Sequence, residues 1–179
     1  GSALPYKQNL FYNIVKSAVD AAKPYGVPVT IKMRIGIDEE HETYFTAAKA
    51  AAEAGVSWVA LHARYASQLY DGEADWSAIA KLVEFMDGTD VPVLGNGDIW
   101  SGADGVRMME ETGCAGVVVG RGCLGRPWLF KDLVNAFNGE NTKVTPTLFE
   151  VREIMKRHAI LLTEFFEQEG RAMRDLRKH

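Results

Sequence analysis

Two glycine-rich segments carry residue types that can hold a phosphate group. They are Asn96-Gly97-Asp98 and Gly120-Arg121-Gly122, and each follows a short apolar, β-branched run. A buried parallel strand shows this abrupt change where it enters a loop. Glycine lets the backbone approach a ligand, successive N–H groups can cradle a phosphate, and Arg121 adds a rigid guanidinium fork. Asn-Gly also favours a plain turn, but the buried strand before it favours a ligand site.

Three further side chains are candidates for the same site. Lys32 lies inside an apolar run, where an unpaired charge is costly to bury, so we expect it to face a ligand. The alternative is an edge residue whose ammonium group reaches solvent. His62 ends the next apolar run, at the same predicted edge as Lys32, so we expect it to face the same ligand. The alternative is a structural histidine. Arg64 begins the following loop, a place where solvated arginines are also common.

Metal and thiol chemistry have less support. The acidic run Asp38-Glu39-Glu40-His41-Glu42 has no second ligand cluster at a fixed spacing. We therefore interpret it as an acidic helix N-terminus and expect no metal site. Cys114 and Cys123 lack metal-ligand spacing and a neighbouring base in the sequence, so we expect both to be structural and unpaired.

Length and composition are those of an ordinary globular protein. The chain has 179 residues, of which 47% are hydrophobic and 25% charged. This suffices for one domain with a small addition, whereas a complete (β/α)8 barrel usually needs about 250 residues. No apolar run reaches the ~18 residues of a membrane span, and no signal peptide opens the chain. We therefore expect a cytoplasmic protein without membrane contact.

The net charge of −4 hides a basic end. Residues 170–179 hold four Lys and Arg against one Asp, whereas the remaining 169 residues hold 16 basic against 23 acidic residues. A basic end on an acidic body favours a polyanion partner contacted at one place, and a solvated helix face is the alternative. We expect residues 171–179 to be helical, with Arg171, Arg174 and Lys178 on one face.

Four consecutive βα units are predicted to position the site residues. Apolar runs predict strands near residues 28–34, 57–62, 91–95 and 115–120, with amphipathic helices between them. In a parallel sheet of this kind, Lys32, His62, Asn96 and Arg121 meet at the carboxyl edge. Four such strands make half of a barrel with an open edge at each end. We therefore expect either self-association through these edges, which would complete a barrel-like core, or an N-terminal half of the barrel that this chain lacks.

Two domains are predicted. Residues 1–140 would form the half-barrel, and a polar segment containing Gly139 and Pro146 would lead into a helical domain at residues 145–179. A helical stripe that ends at Gly170 is predicted from Leu148, Val151, Ile154, Met155, Leu162, Phe165 and Phe166. The chain stops within the last helical pattern without a capping signal, so we expect this domain to be truncated.

Five motifs in this order resemble the tRNA-dihydrouridine synthases of the bacterial branch. They are Thr30-Ile31-Lys32-Met33-Arg34, Leu61-His62-Ala63-Arg64, Asp71-Gly72-Glu73-Ala74-Asp75-Trp76, Gly95-Asn96-Gly97-Asp98-Ile99, and Val119-Gly120-Arg121-Gly122 followed by Gly125-Arg126-Pro127-Trp128. The resemblance covers nearly the whole chain. It implies an α/β protein that is the C-terminal half of a TIM (β/α)8 barrel followed by the start of an α-helical, RNA-binding domain.

The resemblance also implies an activity. NADPH would reduce FMN, and the reduced flavin would convert specific uridines of tRNA to 5,6-dihydrouridine. Lys32 and His62 would contact the flavin ring or ribityl chain, and the phosphate would be held by Asn96, Gly97, Asp98, Gly120 and Arg121. Contacts to tRNA would come from Arg64, Arg171, Arg174 and Lys178. The target base must leave its stack to react.

The sequence departs from the family pattern in two places. The family's catalytic Cys loop and first four strands have no counterpart here, so no catalytic residue is assigned and this chain alone is expected to be inactive. Tyr65 stands where the family usually has a small Thr. The alternatives are another FMN or sugar-phosphate TIM-barrel oxidoreductase, which the His62-Ala63-Arg64 and Gly125-Arg126-Pro127-Trp128 segments argue against, and a non-catalytic RNA-binding fragment.

Overall fold

The computed structural model describes residues 2–140 and 142–178, in which strands alternate with helices before two final helices. The elements in chain order are α1 (Gln8–Ala22), β1 (Thr30–Arg34), α2 (Tyr44–Ala54), β2 (Trp58–His62), α3 (Trp76–Phe85), β3 (Val93–Asn96), α4 (Gly102–Thr112), β4 (Gly116–Val118), α5 (Leu129–Phe137), α6 (Leu148–Phe166) and α7 (Glu169–Leu176). Short 3-10 turns lie at Leu4–Tyr6, Lys23–Tyr25 and Arg121–Cys123.

The strands form one parallel sheet in the order β1-β2-β3-β4. This confirms the predicted α/β class and strand order, with strand ends that differ by a few residues. The register sets Arg34 opposite His62, His62 opposite Asn96, and Asn96 opposite Val118. Side chains alternate between the two faces of a sheet, so Lys32, Arg34, His62 and Asn96 share one face. These four side chains form the polar row.

The core lies between the sheet and the helices that connect its strands. Helix α2 contributes a face of small residues spaced by three and four, namely Ala47, Ala48, Ala51 and Ala54, all at most 2% exposed. They belong to one apolar cluster with Leu61 of β2 and with Ile79 and Leu82 of α3, which are fully buried. Burial of one such Leu or Ile side chain contributes roughly 1.5–3 kcal/mol to the stability of the fold. The cluster therefore stabilises the sheet that carries the polar row.

The helices that follow β2 and β3 start at side-chain caps. The Asp75 carboxylate accepts a hydrogen bond from the Ser77 N–H at 3.0 Å, and Ser101 Oγ accepts from the Asp104 N–H at 3.2 Å. Each cap satisfies an N–H that has no partner within its helix. The caps therefore fix where the loops after β2 and β3 end.

Helices α6 and α7 pack against each other, and their boundary corrects the sequence prediction. α6 begins at a capping box formed by Thr147 and Glu150 and ends at Glu167, whose φ is 51°. Gly170 does not break the stripe, because α7 has already begun at Glu169. The left-handed turn at Glu167, which the sequence did not signal, separates the two helices.

One other expectation about local structure needs correction. The acidic run does not form a helix N-terminus, because α2 begins after it, at Tyr44, with no acidic residue in its first turn. Instead, Gly36 and Glu42 form an antiparallel bridge, and the Asp38 carboxylate pairs with His41 Nδ1 at 2.6 Å. The chain folds back there because this pairing closes a tight loop.

The sheet has β1 and β4 as its outer strands. Self-association through their edges and the domain limits at residues 1–140 and 145–179 remain predictions. Among the described residues, no helix is long and apolar enough to cross a membrane.

Candidate functional site

The polar row at the carboxyl end of the sheet opens into a cavity of about 130 Å³. The cavity is lined by Lys32, His62, Tyr70, Asn96, Gly97, Asp98, Ile99, Trp100, Gly120, Arg121 and Gly122. All seven residues proposed from the sequence as cofactor ligands are in this set. Their convergence follows from the parallel register, which brings the ends of β1, β2, β3 and β4 to one edge of the sheet.

Arg121 is oriented by aromatic side chains on two sides. Its guanidinium carbon lies 4.4 Å from the centroid of the Tyr70 ring and 5.4 Å from that of Trp100. Arg126 Nη1 donates a hydrogen bond to the Trp100 carbonyl at 3.3 Å, which helps to fix the backbone of Trp100. Stacking on aromatic faces limits the rotation of a guanidinium group. Arg121 is therefore poised to hold an anion before one binds.

Gly120 gives the cavity an open stretch of backbone. A Cβ atom built on Gly120 would meet nothing within 4 Å. Arg121 starts a 3-10 turn, and the first N–H groups of a helical turn have no partner within it. A phosphate can therefore approach the Gly120-Arg121 backbone closely, which agrees with the role proposed for these residues.

Asn96 joins the two strands that carry the glycine segments. Its side chain is buried, and Nδ2 donates to the Val118 carbonyl at 2.6 Å. This bond ties the end of β3 to the end of β4. Asn96 thus holds both segments at a fixed separation as well as lining the cavity.

Arg64 is placed differently from the sequence expectation. The predicted RNA contact is not available to it, because the side chain is 1% exposed and Nη2 bonds the Asp98 carboxylate at 2.7 and 2.9 Å. Asp98 also accepts from the Ala74 N–H at 2.7 Å. A carboxylate repels a phosphate, and this one faces protein donors, so the Asp98 side chain borders the cavity without offering a phosphate ligand. A contact through the Asp98 backbone stays a prediction.

The electrostatic field of the cavity is cationic. Partial burial, and then the charge of Arg34, lower the pKa of Lys32. Burial lowers the pKa of His62 to about 4, helped by Arg34, Lys32, Arg64 and Arg121 in that order. His62 is therefore neutral at pH 7, able to donate through one ring nitrogen and accept through the other. An anionic ligand would offset the repulsion among these groups.

The depressed pKa of His62 predicts a pH-dependent stability. The unfolded chain protonates this histidine near pH 6.5, whereas the folded chain resists protonation down to about pH 4. The unfolded state therefore binds more protons in this window, and stability is lost as the pH falls. The free energy of unfolding should drop by up to about 3 kcal/mol from pH 6.5 to pH 4 through His62 alone. Urea denaturation at several pH values measures this.

The variant for this prediction is His62→Gln. It should remove most of the steep loss of stability, because glutamine does not titrate. Equal profiles for the parent and His62→Gln would contradict the assignment.

Among the residues that line the cavity, Tyr70, Ile99, Trp100 and Gly122 were not proposed as ligands from the sequence, and neither was Arg34 beside it. Arg34 could have been found, because it follows Lys32 by two positions and so shares its face of the strand. Its Nη1 and Nη2 donate to the carbonyls of Tyr65 and Leu69 at 2.7 and 3.0 Å, which holds the loop after β2 over the cavity. Tyr70 and Trp100 gave no signal, because an exposed aromatic residue in a loop has no periodicity to read.

The basic residues near the end of the chain occupy α7 and the turn after it. Arg171 and Arg174 lie on α7, and the Arg171 guanidinium carbon lies 4.3 Å from the centroid of the Phe166 ring. The helix ends at Leu176, so Lys178 lies beyond it and pairs with Asp175. The expected continuous helical face is therefore wrong at Lys178, and His179 lies outside the described residues.

Both cysteines are free thiols. Cys114 is buried, and Cys123 Sγ donates to the Gly120 carbonyl at 3.2 Å. Among residues 2–140 and 142–178, no group of three or more His, Cys, Asp or Glu is arranged to hold a metal ion.

A parallel βα sheet whose last two strands lead into a cationic, glycine-lined cavity is typical of (β/α)8-barrel proteins that bind phosphate-bearing ligands. Comparison with known families is more specific. The family model described as dihydrouridine synthase (Dus) matches residues 1–179. The chain therefore belongs to the dihydrouridine synthase family.

Curated relatives agree with this assignment. A protein of Mycobacterium leprae (strain TN), named probable tRNA-dihydrouridine synthase, is 53% identical over 179 residues, which are 100% of this chain and 46% of the relative. Proteins of the same name from Treponema pallidum (strain Nichols) and Aquifex aeolicus (strain VF5) are 43% and 36% identical, over 73% and 89% of this chain and 39% and 48% of their own lengths. The chain spans about half the length of these relatives. Among solved structures, the YdjI aldolase of Escherichia coli K12 aligns with a TM-score of 0.45 and 18% identity, over 92% of this chain and 57% of that one.

Proposed function

We propose that this chain forms the FMN-binding side of an enzyme that uses NADPH to reduce specific uridines of tRNA to 5,6-dihydrouridine. The observation that carries the proposal is the cavity in which the open backbone of Gly120, the stacked Arg121 and the row containing Lys32 and His62 meet. Membership of the dihydrouridine synthase family supports it, as do the names of the relatives. The other metabolite oxidoreductases considered above lose their support, because the family match covers residues 1–179.

We assign the cavity to one end of FMN. At about 130 Å³, it is smaller than the roughly 300–1,000 Å³ of a typical small-molecule site. The phosphate end would lie beside Gly120 and Arg121, and the ring would extend along the polar row. Lys32 and His62 would then lie beside the flavin, consistent with the roles implied by the family resemblance.

Bound FMN supplies hydride chemistry, and the residues of this chain supply binding, orientation and charge. Arg121 would neutralise the phosphate. Lys32 would place positive charge near the ring, where it favours an anionic reduced flavin, and neutral His62 would hydrogen bond without adding charge. The proposal assigns no catalytic acid to Cys114 or Cys123, since neither lines the cavity.

A comparison of two flavins tests the proposed phosphate site. The intact protein, freed of bound flavin, should bind FMN at least about tenfold more tightly than riboflavin, which has the same ring but no phosphate. Hydrogen bonds to a charged group contribute about 1.5–3 kcal/mol, which is the source of this factor. Flavin fluorescence titration measures both affinities. Equal affinities would contradict the proposal.

The basic residues of α7 and the turn after it are proposed to bind the tRNA backbone. Changing Arg171, Arg174 and Lys178 together to Ala should weaken tRNA binding and flatten its salt dependence, by about 0.7–0.9 in log–log slope for each phosphate that is no longer neutralised. FMN affinity should stay the same. Filter binding over a range of salt concentrations measures the slope.

The control for this experiment changes basic residues on the barrel helices instead. Lys49 and Lys81 are exposed on α2 and α3, and their replacement by Ala should alter the slope less than the triple variant does. An unchanged slope in the triple variant would remove α7 from the proposed tRNA surface.

A further inference from the structure

Arg64 and Asp98 connect two loops beside the cavity. Besides the Asp98 carboxylate, Arg64 bonds two carbonyls of its own loop, which runs from β2 to α3, with Nη2 2.7 Å from the Gly72 oxygen and Nε 3.4 Å from the Asp71 oxygen. Asp98 in turn accepts the Ala74 N–H of the same loop at 2.7 Å. The loop after β2 and the loop after β3 are therefore held together by one ion pair, in which Arg64 is buried and Asp98 is 23% exposed.

The backbone that this pair holds is in an unusual conformation. Gly97 has φ of 132°, and Asp98 has φ of 53°, which is uncommon for a residue with a side chain. The Gly97 carbonyl accepts the Trp76 Nε1–H at 3.1 Å, and a Cβ on Gly97 would lie 2.6 Å from Ala74 Cβ. These contacts leave the segment little freedom, and such conformations persist where the surroundings enforce them.

The same pair reaches the proposed phosphate ligand. Asp98 Oδ1 lies 3.6 Å from Arg121 Nη2, on the cavity side of the pair. Arg64 compensates the charge of Asp98, and Arg121 therefore keeps its own charge for a ligand. Without Arg64, the uncompensated carboxylate of Asp98 would compete with a phosphate for Arg121.

We propose that Arg64 and Asp98 are positioning residues that hold the phosphate-binding backbone and Arg121 in place. The inference rests on the proposed FMN function and deepens it. Asp98 acts through Gly97 and Arg121, and Arg64 acts through Asp98. Neither side chain touches the phosphate itself.

Asp98→Asn separates positioning from simple electrostatics. If charge alone mattered, removal of a carboxylate beside a phosphate site would tighten FMN binding. If Asp98 positions Arg121, the same change weakens FMN binding, by about tenfold, a size typical of residues coupled in one network. Asparagine also tolerates positive φ, so the backbone itself is not strained by this change.

The set of variants is Asp98→Asn, Arg64→Gln, the double variant, and Arg152→Gln as the control. Arg152, on α6, also stacks on an aromatic ring, with its guanidinium carbon 5.6 Å from the Phe149 ring centroid, but it does not line the cavity. Fluorescence titration with FMN and riboflavin gives the affinity ratio for each protein, and circular dichroism confirms folding. Both single variants should lower the ratio about tenfold with riboflavin affinity unchanged. Arg152→Gln should keep the parent ratio.

The double variant is a neutral pair that retains hydrogen-bonding groups, so it should recover the ratio to within about threefold of the parent. If a single variant fails to fold, the FMN-to-riboflavin affinity ratio of the double variant still tests the inference. A tighter or unchanged FMN affinity in folded Asp98→Asn would overturn the inference, as would a double variant that loses affinity additively. If the parent protein itself does not prefer FMN to riboflavin, the proposed phosphate site fails instead, so the two failures are distinguishable.

Discussion

Arg121→Gln is expected to weaken FMN binding by roughly 10- to 150-fold, while riboflavin binding stays within about twofold. The guanidinium carbon of Arg121 lies 4.4 and 5.4 Å from the ring centroids of Tyr70 and Trp100. Because the side chain is already ordered, little binding free energy is spent on immobilising it when a phosphate binds. A hydrogen bond to a charged group contributes about 1.5–3 kcal/mol, which sets the expected range. Glutamine keeps a donor but is two atoms shorter, so the change removes the charge and the reach of the guanidinium group together.

The matched control for Arg121→Gln is Arg152→Gln. Arg152 carries the same group 5.6 Å from the centroid of the Phe149 ring, forms an ion pair with Glu153 at 3.4 Å, and lies outside the cavity. Its variant should bind both flavins as the parent does. Equal losses of FMN and riboflavin affinity in Arg121→Gln would mean that Arg121 supports the ring or the fold and not the phosphate.

The sheet and the location of the site could be predicted from the sequence because both depend on local patterns. Short apolar runs that end in glycine or polar residues predict buried parallel strands, and the carboxyl ends of such strands share an edge. Lys32, His62, Asn96 and Arg121 each stand at or near such an end. Their convergence therefore needed no information beyond strand order and direction.

The roles of Arg64 and Asp98 could not be predicted in this way. Both stand in loops where arginine and aspartate are usually solvated, and the pair forms across a separation of 34 residues. Its burial depends on how the loop before α3 folds over β2, which no periodicity encodes. The left-handed turn at Glu167 is a similar case, because a glutamate at φ of 51° has no sequence signal.

Gly122→Ala is expected to lower the free energy of unfolding by about 3 kcal/mol or more, or to prevent the loop after β4 from folding. A Cβ on Gly122 would lie 2.0 Å from the Ile99 carbonyl oxygen and 3.2 Å from its carbon. These are backbone atoms of the loop after β3, so relief requires one of the two phosphate-site loops to move. FMN affinity should fall together with stability, because the clash separates Gly97 from Arg121.

Gly120→Ala, two residues earlier, is the control that separates this clash from occupation of the cavity wall. Gly120 has a negative φ, −107°, and its Cβ would meet nothing within 4 Å. Its stability should therefore stay within about 1 kcal/mol of the parent. The methyl group would occupy the open cavity wall that the phosphate is proposed to approach, so FMN binding should weaken while riboflavin binding does not.

Urea denaturation and flavin titration of both variants measure the two effects. A stable Gly122→Ala protein would contradict the close packing of the two loops, and unchanged FMN binding by Gly120→Ala would mean that the phosphate does not approach this backbone.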